Sequence, residues 1–165
     1  MRYKTILFHI IIWLSCISLF ESCSSSDCPL NNVVRCYYTI YSSEQGIPLA
    51  YNDTLTILAA DTILLNQAVK VTSFSLPMSY ALPVDTLTFH FKTSTGNNTT
   101  AIVCVSHTNK AYFVSLDCPT SYFHNISTVE YQTSNTIPNI DSIVVVKPEV
   151  NYERKENIRI YLSNF

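Results

Sequence analysis

Six cysteines, at positions 16, 23, 28, 36, 104 and 118, carry the most legible chemistry in this chain of 165 residues. A thiol can ligate metal, act as a nucleophile, receive an acyl group or close a disulfide, and the spacing of its neighbours decides among these. His90, His107 and His124 form no close pair with one another or with a cysteine, so no zinc site is expected. The acidic residues are scattered and no EF-hand loop occurs, which removes calcium. Only two glycines are present, Gly46 and Gly96, and both phosphate-binding loops and dinucleotide fingerprints need several close together. No Gly-x-Ser-x-Gly elbow occurs, and in so Ser-rich a chain the coexistence of Ser, His and Asp carries no information. No catalytic residue, metal or cofactor is therefore expected.

Cys16 is expected to fall in a leader and Cys23 directly after it. Arg2 and Lys4 precede an apolar run from Thr5 to Phe20, too short for a retained span and followed at once by the Ser-rich stretch Ser22 to Ser26. Ser22-Cys23 resembles a bacterial lipoprotein signal, in which a small residue precedes a cysteine whose thiol receives diacylglycerol before the leader is cut away. That resemblance implies lipidation at Cys23. Cys16 is a poorer acceptor, because Ile17 to Phe20 would then stay on the tether. The expected organisation is a signal peptide at 1–22, a lipidated tether at 23–32 and one β domain at 33–165, with ordinary cleavage and secretion as the alternative. About 140 mature residues suffice for one domain with a sizeable core.

Cys28, Cys36, Cys104 and Cys118 then remain in an exported chain, where two disulfides can form in three connectivities. Cys28 and Cys118 share Asp-Cys-Pro contexts at strand ends or loops and are the favoured pair. Cys36 alternates with Val34, Tyr38 and Ile40, and Cys104 with Ile102, so both are expected to point inward and bond to each other. Two buried free thiols are the alternative for that pair.

Hydroxyl chemistry offers a second recurring pattern. Thr54, Thr62, Thr86 and Ser142 each follow an Asp and precede an aliphatic residue, which looks like the acceptor pattern of general O-glycosylation in the Bacteroidota. An Asp that closes a turn before two strand-forming residues explains the same four sites. The N-linked sequons at Asn52, Asn97, Asn98 and Asn125 matter only in a eukaryotic host. Tyr37, Tyr41 and Tyr131 lie beside hydroxyl and amide residues, where outward-facing rings would stack on sugars or anchor a partner.

The elements that must position these groups are all strands. Charged residues make up 13% of the chain and the formal net charge is -2, so no nucleic-acid footprint exists, while a hydrophobic content of 47% excludes disorder. Runs rich in β-branched and aromatic residues cover 33–41, 54–59, 69–76, 86–92, 100–107, 111–117, 122–133, 142–147 and 158–162, each bounded by Asp, Asn, Pro or Ser. Leu87, Phe89 and Phe91 alternate with Thr86, Thr88, His90 and Lys92, the signature of a half-buried strand. Thr108-Asn109-Lys110 is expected to be a tight connection between two paired strands, and the 122–133 strand to kink near Asn125. Lys147, Arg154, Lys155 and Arg159 are balanced by Glu149, Glu153 and Glu156 and read as a solvated loop. The predicted fold is all-β: a single antiparallel sandwich of immunoglobulin-like, Greek-key kind with about eight or nine strands.

From Cys23 onward the order of features resembles a family of small Bacteroidota lipoproteins of unknown function. The residues that carry it are the Cys23 to Cys28 opening, Asp85-Thr86-Leu87-Thr88-Phe89, Phe113-Val114-Ser115-Leu116-Asp117-Cys118, Asp141-Ser142-Ile143 and Glu156-Asn157-Ile158-Arg159-Ile160-Tyr161. The resemblance implies an outer-membrane lipoprotein, periplasmic or surface facing, and transfers no catalytic residue. The functional expectation is a non-enzymatic envelope protein, anchored to the membrane by lipid, with a structural or interaction role toward envelope proteins. A glycan-binding surface lipoprotein serving polysaccharide uptake is the alternative.

Overall fold

The structure is a computed structural model that describes Cys28, residues 33–134 and residues 138–163. The expected signal peptide, the acyl acceptor Cys23 and the tether apart from Cys28 lie outside the described residues. Ten strands are present among the described residues: β1 Arg35–Ser42, β2 Thr54–Ala59, β3 Thr62–Ala68, β4 Ser73–Pro77, β5 Val84–Lys92, β6 Asn98–Tyr112, β7 Ser121–Thr133, β8 Asn139–Val145, β9 Glu149–Val150 and β10 Glu156–Ser163. They form two sheets, ordered β4-β1-β10-β8 and β3-β2-β5-β6-β7-β9, which pack as a sandwich.

The alternation seen in the sequence decides which side of each strand enters the space between the sheets. Cys36, Tyr38 and Ile40 of β1 and Ile158, Ile160 and Leu162 of β10 are buried from one sheet. Leu55 and Ile57 of β2, Leu87, Phe89 and Phe91 of β5, and Val103 and Val105 of β6 meet them from the other. Tyr38 stacks on Phe74 with ring centroids 5.0 Å apart and meets Phe89 across the sandwich at 6.5 Å, edge to face. These offset and edge geometries favour aromatic pairs beyond the apolar area they remove from water.

One pair departs from the antiparallel expectation: β1 and β10, the first and last strands, run parallel. Their register slips between Tyr37 and Tyr38, leaving Asn157 as the extra residue. Its buried amide repairs the ladder there. Asn157 Oδ1 accepts from the Tyr37 N–H at 3.0 Å, and Nδ2 donates to the carbonyls of Lys147 and Glu149, each at 3.0 Å.

The largest correction concerns the middle of the chain. Thr108-Asn109-Lys110 is no turn, and 111–117 is no partner strand; β6 runs unbroken for 15 residues to Tyr112 and pairs with β7 through Tyr112 and Ser121. The irregularity in this hairpin falls between Ser106 and His107, opposite Thr128 and Ile126, close to the kink expected near Asn125. β3 was not expected, because Thr62 to Ala68 lacks alternation, and the 69–76 run contributes only β4. β3 lies at a sheet edge with two register irregularities against β2, so no strict pattern is imposed on it.

Cys36 and Cys104 are free thiols, which overturns the expected bond between them. Cys36 points between the sheets and is fully buried, whereas Cys104 shares the outer face of β6 with Ile102, beside Thr86 of β5. The six-stranded sheet itself therefore separates the two sulfurs. Burial pushes the Cys36 thiol up to about 12, against a smaller lowering by its hydrogen bond to Tyr38.

Candidate functional site

The β6–β7 hairpin is the longest among the described residues, and its connecting loop, residues 113–120, carries exposed apolar side chains. Phe113 is 68% exposed and Leu116 fully so. Within this loop, turn contacts fix Cys118: its N–H donates to the Ser115 carbonyl at 3.4 Å and Ser115 Oγ approaches its sulfur at 3.4 Å. Cys118 is bonded to Cys28, with Cα atoms 5.5 Å apart across a sequence separation of 90. Cys28, which precedes β1, is thus fastened to the hairpin tip.

Aromatic rings brace both faces of the hairpin just behind this tip. On one face Tyr112 stacks on Phe123 at 4.4 Å, and the Tyr152 ring closes edge-on against Phe123 at 5.2 Å, its hydroxyl bonded to that of Ser121. On the other, Tyr80 stacks on Tyr122 at 5.1 Å. A shallow groove beside this second pair is lined by Val33, Val34, Met78, Tyr80, Thr120 and Tyr122.

A buried polar cluster positions the loop that carries Tyr80. Strand register places Asn109 opposite His124, two pairs beyond His107 where the ladder is disturbed, so three polar side chains converge on the inward face. Asn109 Oδ1 lies 2.8 Å from His107 Nδ1 and 2.7 Å from His124 Nδ1, and the imidazoles stand perpendicular at 5.2 Å. His107 Nε2 donates to Asp85 Oδ2 at 3.1 Å, and both Asp85 oxygens accept from the Ser79 N–H at 3.1 Å. Asn109 Nδ2 donates to the Leu82 carbonyl and the His107 N–H to that of Pro83. Residues 79–85 are therefore clamped onto β6 by three side chains and a main-chain bond. Burial, and then the neighbouring His107 ring, lower His124 from 6.5 to about 4, so it is neutral under ordinary conditions.

Both ring nitrogens of His107 are engaged within the protein, so it is not placed to take a proton from a bound substrate. Among the described residues no group of three His, Cys, Asp or Glu side chains is disposed to hold a metal ion. Sequence spacing gave no hint of this cluster, because Asp85, His107, Asn109 and His124 meet only through the pairing of β5, β6 and β7. The available signal was the repetition of polar residues at 107 and 109 on what had to be an inward face.

The proposed modification sites are dispersed. Thr62 and Thr86 are exposed, while Thr54, the first residue of β2, and Ser142, within β8, are half-buried. Three of the four preceding carboxylates tie chain segments together: Asp53 accepts from the Ser94 N–H, Asp85 serves the clamp, and Asp141 accepts from Asn139 and Ser163. Hydrogen bonds led by that from Ser43 hold Asp141 below the usual carboxylate range, outweighing the upward push of its slight burial. Asp53 and Asp141 reach partners 41 and 22 positions away and Asp85 lies inside β5, so these carboxylates join segments rather than close the turns before their own hydroxyls; of the four hydroxyls, Thr62 and Thr86 are the exposed ones.

His90 faces solvent, as expected, with Nδ1 3.1 Å from Thr100 Oγ1. It lines an open polar groove with Asp53, Thr56, Gln67, Lys92 and Ser94, in which no tyrosine participates. Tyr37, Tyr41 and Tyr131 are half-buried rather than gathered at one place. Tyr131 donates its hydroxyl proton to the Asp141 carbonyl at 2.8 Å, and Tyr41 lies under the Arg159 guanidinium at 4.9 Å.

A family model matches residues 53–162, from the carboxylate that opens β2 to near the end of β10, and takes in the clamp and the hairpin tip. The chain belongs to DUF6452, a family of unknown function. No curated protein and no solved structure matches it. The matched DUF6452 region begins after Cys28 and β1, so the tip's half of the disulfide lies inside it and the tether's half outside.

Proposed function

We propose that this DUF6452 protein is a lipid-anchored β-sandwich of the Bacteroidota cell envelope, acylated at Cys23, with a structural or protein-interaction role and no reaction of its own. The observation that supports it most is the Cys28–Cys118 bond, which fastens the body five residues after the acyl acceptor. A protein meant to reach far from its membrane keeps a long, loose tether, whereas a staple this close to the anchor suits a component held against the envelope. The unanchored alternative, a secreted sandwich, keeps the same bond but gives no role to the Ser22-Cys23 signal. Outer-membrane placement, facing the periplasm or the surface, follows from the same lipoprotein resemblance.

The test is the intact mass of protein taken from its native membrane fraction, before and after reduction. The expected species begins at Cys23, carries acyl chains and gains about 2 Da on reduction, one bridge rather than two. The Cys23→Ser variant should leave the membrane fraction. A mass beginning elsewhere and lacking acyl chains would sink this reading.

Glycan binding is the second reading, and the Tyr80–Tyr122 stack in its shallow groove is what favours it. Aromatic faces of this kind stack on sugar rings. The groove offers few polar groups besides Thr120 to select among sugars, which leaves the structural role ahead. Titration calorimetry of the wild type and of Tyr80→Ala against envelope and dietary polysaccharides decides it: binding that Tyr80→Ala abolishes would install the glycan reading.

A further inference from the structure

The apolar tip and the tether meet at one disulfide, and chain length then restricts what can lie in front of the tip. Cys23 precedes Cys28 by five residues, which span at most about 17 Å when fully extended. Cys28 and Cys118 are 5.5 Å apart at their Cα atoms, and Cys118 stands two residues from Leu116. On the lipid-anchor reading, on which this inference rests, the acyl chains at Cys23 therefore keep the tip within a few tens of ångströms of the bilayer surface. Phe113, Val114 and Leu116 are 68, 45 and 105% exposed and adjacent in the chain, which is costly in water but favourable in a headgroup layer.

The opposite pole of the sandwich provides the contrast. β6 carries the hairpin some 45 Å, at about 3.3 Å per residue, to the turn at 93–97. Ser94, Thr95, Gly96 and Asn97 are exposed there with no large apolar side chain among them. Near the tip, the exposed charges Lys110 and Asp117 are of opposite sign, so attraction to the surface is apolar rather than electrostatic.

We propose that the β6–β7 tip, through Phe113, Val114 and Leu116, inserts into the headgroup region of the same leaflet that holds the Cys23 acyl chains, giving the protein a second, non-covalent membrane contact and a fixed orientation. The clamp at Asp85, His107 and Asn109 and the stacked rings behind the tip keep the hairpin rigid enough to hold that orientation.

The single tryptophan of the chain is Trp13, in the leader, so a Phe113→Trp substitution supplies the only indole of a protein processed at Cys23. Lipidated Phe113→Trp protein is reconstituted in phosphatidylethanolamine/phosphatidylglycerol vesicles with brominated acyl chains, alongside Thr95→Trp as the far-pole control. The expected result is blue-shifted, strongly quenched emission from position 113, unaltered by high salt, and unquenched emission from position 95. Lipidated protein whose position-113 indole stays unquenched overturns the tip insertion and leaves the anchor standing. Emission that is unquenched by bromolipid but shifts blue with protein concentration assigns the tip to a second copy of the chain and also overturns it. If mass shows no acyl chains, the anchor reading fails by itself. The tip is then judged on unlipidated Cys23→Ser protein, where Phe113→Ser with Leu116→Ser should weaken sedimentation with vesicles about tenfold or more, by loss of apolar area. No sedimentation before those substitutions would dispose of the tip as well.

Discussion

At the scale of single residues, His124 shows how a polar side chain becomes structural. Its imidazole has been drawn inside, beside the ring of His107, with Nδ1 held by Asn109, and its protonation in the folded state is deferred from 6.5 to about 4. Between those two values the unfolded chain binds a proton that the folded chain does not. Stability therefore rises with pH across that window, is complete above about pH 6.5, and is lost as the pH falls toward 4. The shift sets an upper bound of about 3 kcal/mol on the loss, and solvent screening of the ring lowers it. Urea denaturation from pH 7.5 to 4 reads it directly, and His124→Gln should flatten the slope in that window while lowering stability at neutral pH. A slope unchanged by that substitution would mean the imidazole titrates as it does in water.

At the scale of elements, the β6–β7 hairpin is where reading the chain in one dimension went furthest astray. Thr108-Asn109-Lys110 has turn-forming residues, yet those residues lie within a strand whose inward positions, His107 and Asn109, are polar. A period-2 pattern is recognised by apolar residues on one face, and the clamp replaces them with an internally satisfied polar set. Phe113 to Leu116, by contrast, has strand composition but continues past the last pair, Tyr112 with Ser121, and so remains a loop. The hairpin's link to the tether is a crosslink over 90 residues, which raises stability chiefly by restricting the unfolded chain. Cys28→Ser with Cys118→Ser should lower unfolding free energy by about 3 to 4 kcal/mol with little change in the sandwich. Thermal melts at neutral pH check the first part, and circular dichroism the second. Native alkylation should meanwhile modify Cys104 and spare Cys36, whose thiol is buried and raised to about 12.

At the scale of the whole molecule, the ten strands of the described residues close around one core whose centre is aromatic. Phe89 is fully buried and contacts Phe91 in its own sheet and Tyr38 and Phe74 in the other, so it joins the two sheets. Phe89→Ala should cost about 3 to 5 kcal/mol. Denaturant melts of that variant, with Thr88→Ala on the outward face as a control, test whether the core is organised as described; equal effects would refute it.

The amino-acid sequence determined the class of fold by itself, because strand alternation is a local property: Leu87, Phe89 and Phe91 face one way whatever lies opposite. The shared Asp-Cys-Pro contexts likewise singled out Cys28 with Cys118. Everything that depended on which strand lies beside which was decided only by tertiary structure. That covers the parallel closure of β1 against β10 and the outward turn of Cys104 away from Cys36. It also covers the meeting of Asp85, His107, Asn109 and His124, since long-range register is set by the joint burial of all ten strands. The exposed tip belongs to the same class. Phe113 and Leu116 look like core residues in the chain, and they stay outside because the sheet that would have covered them ends at Tyr112.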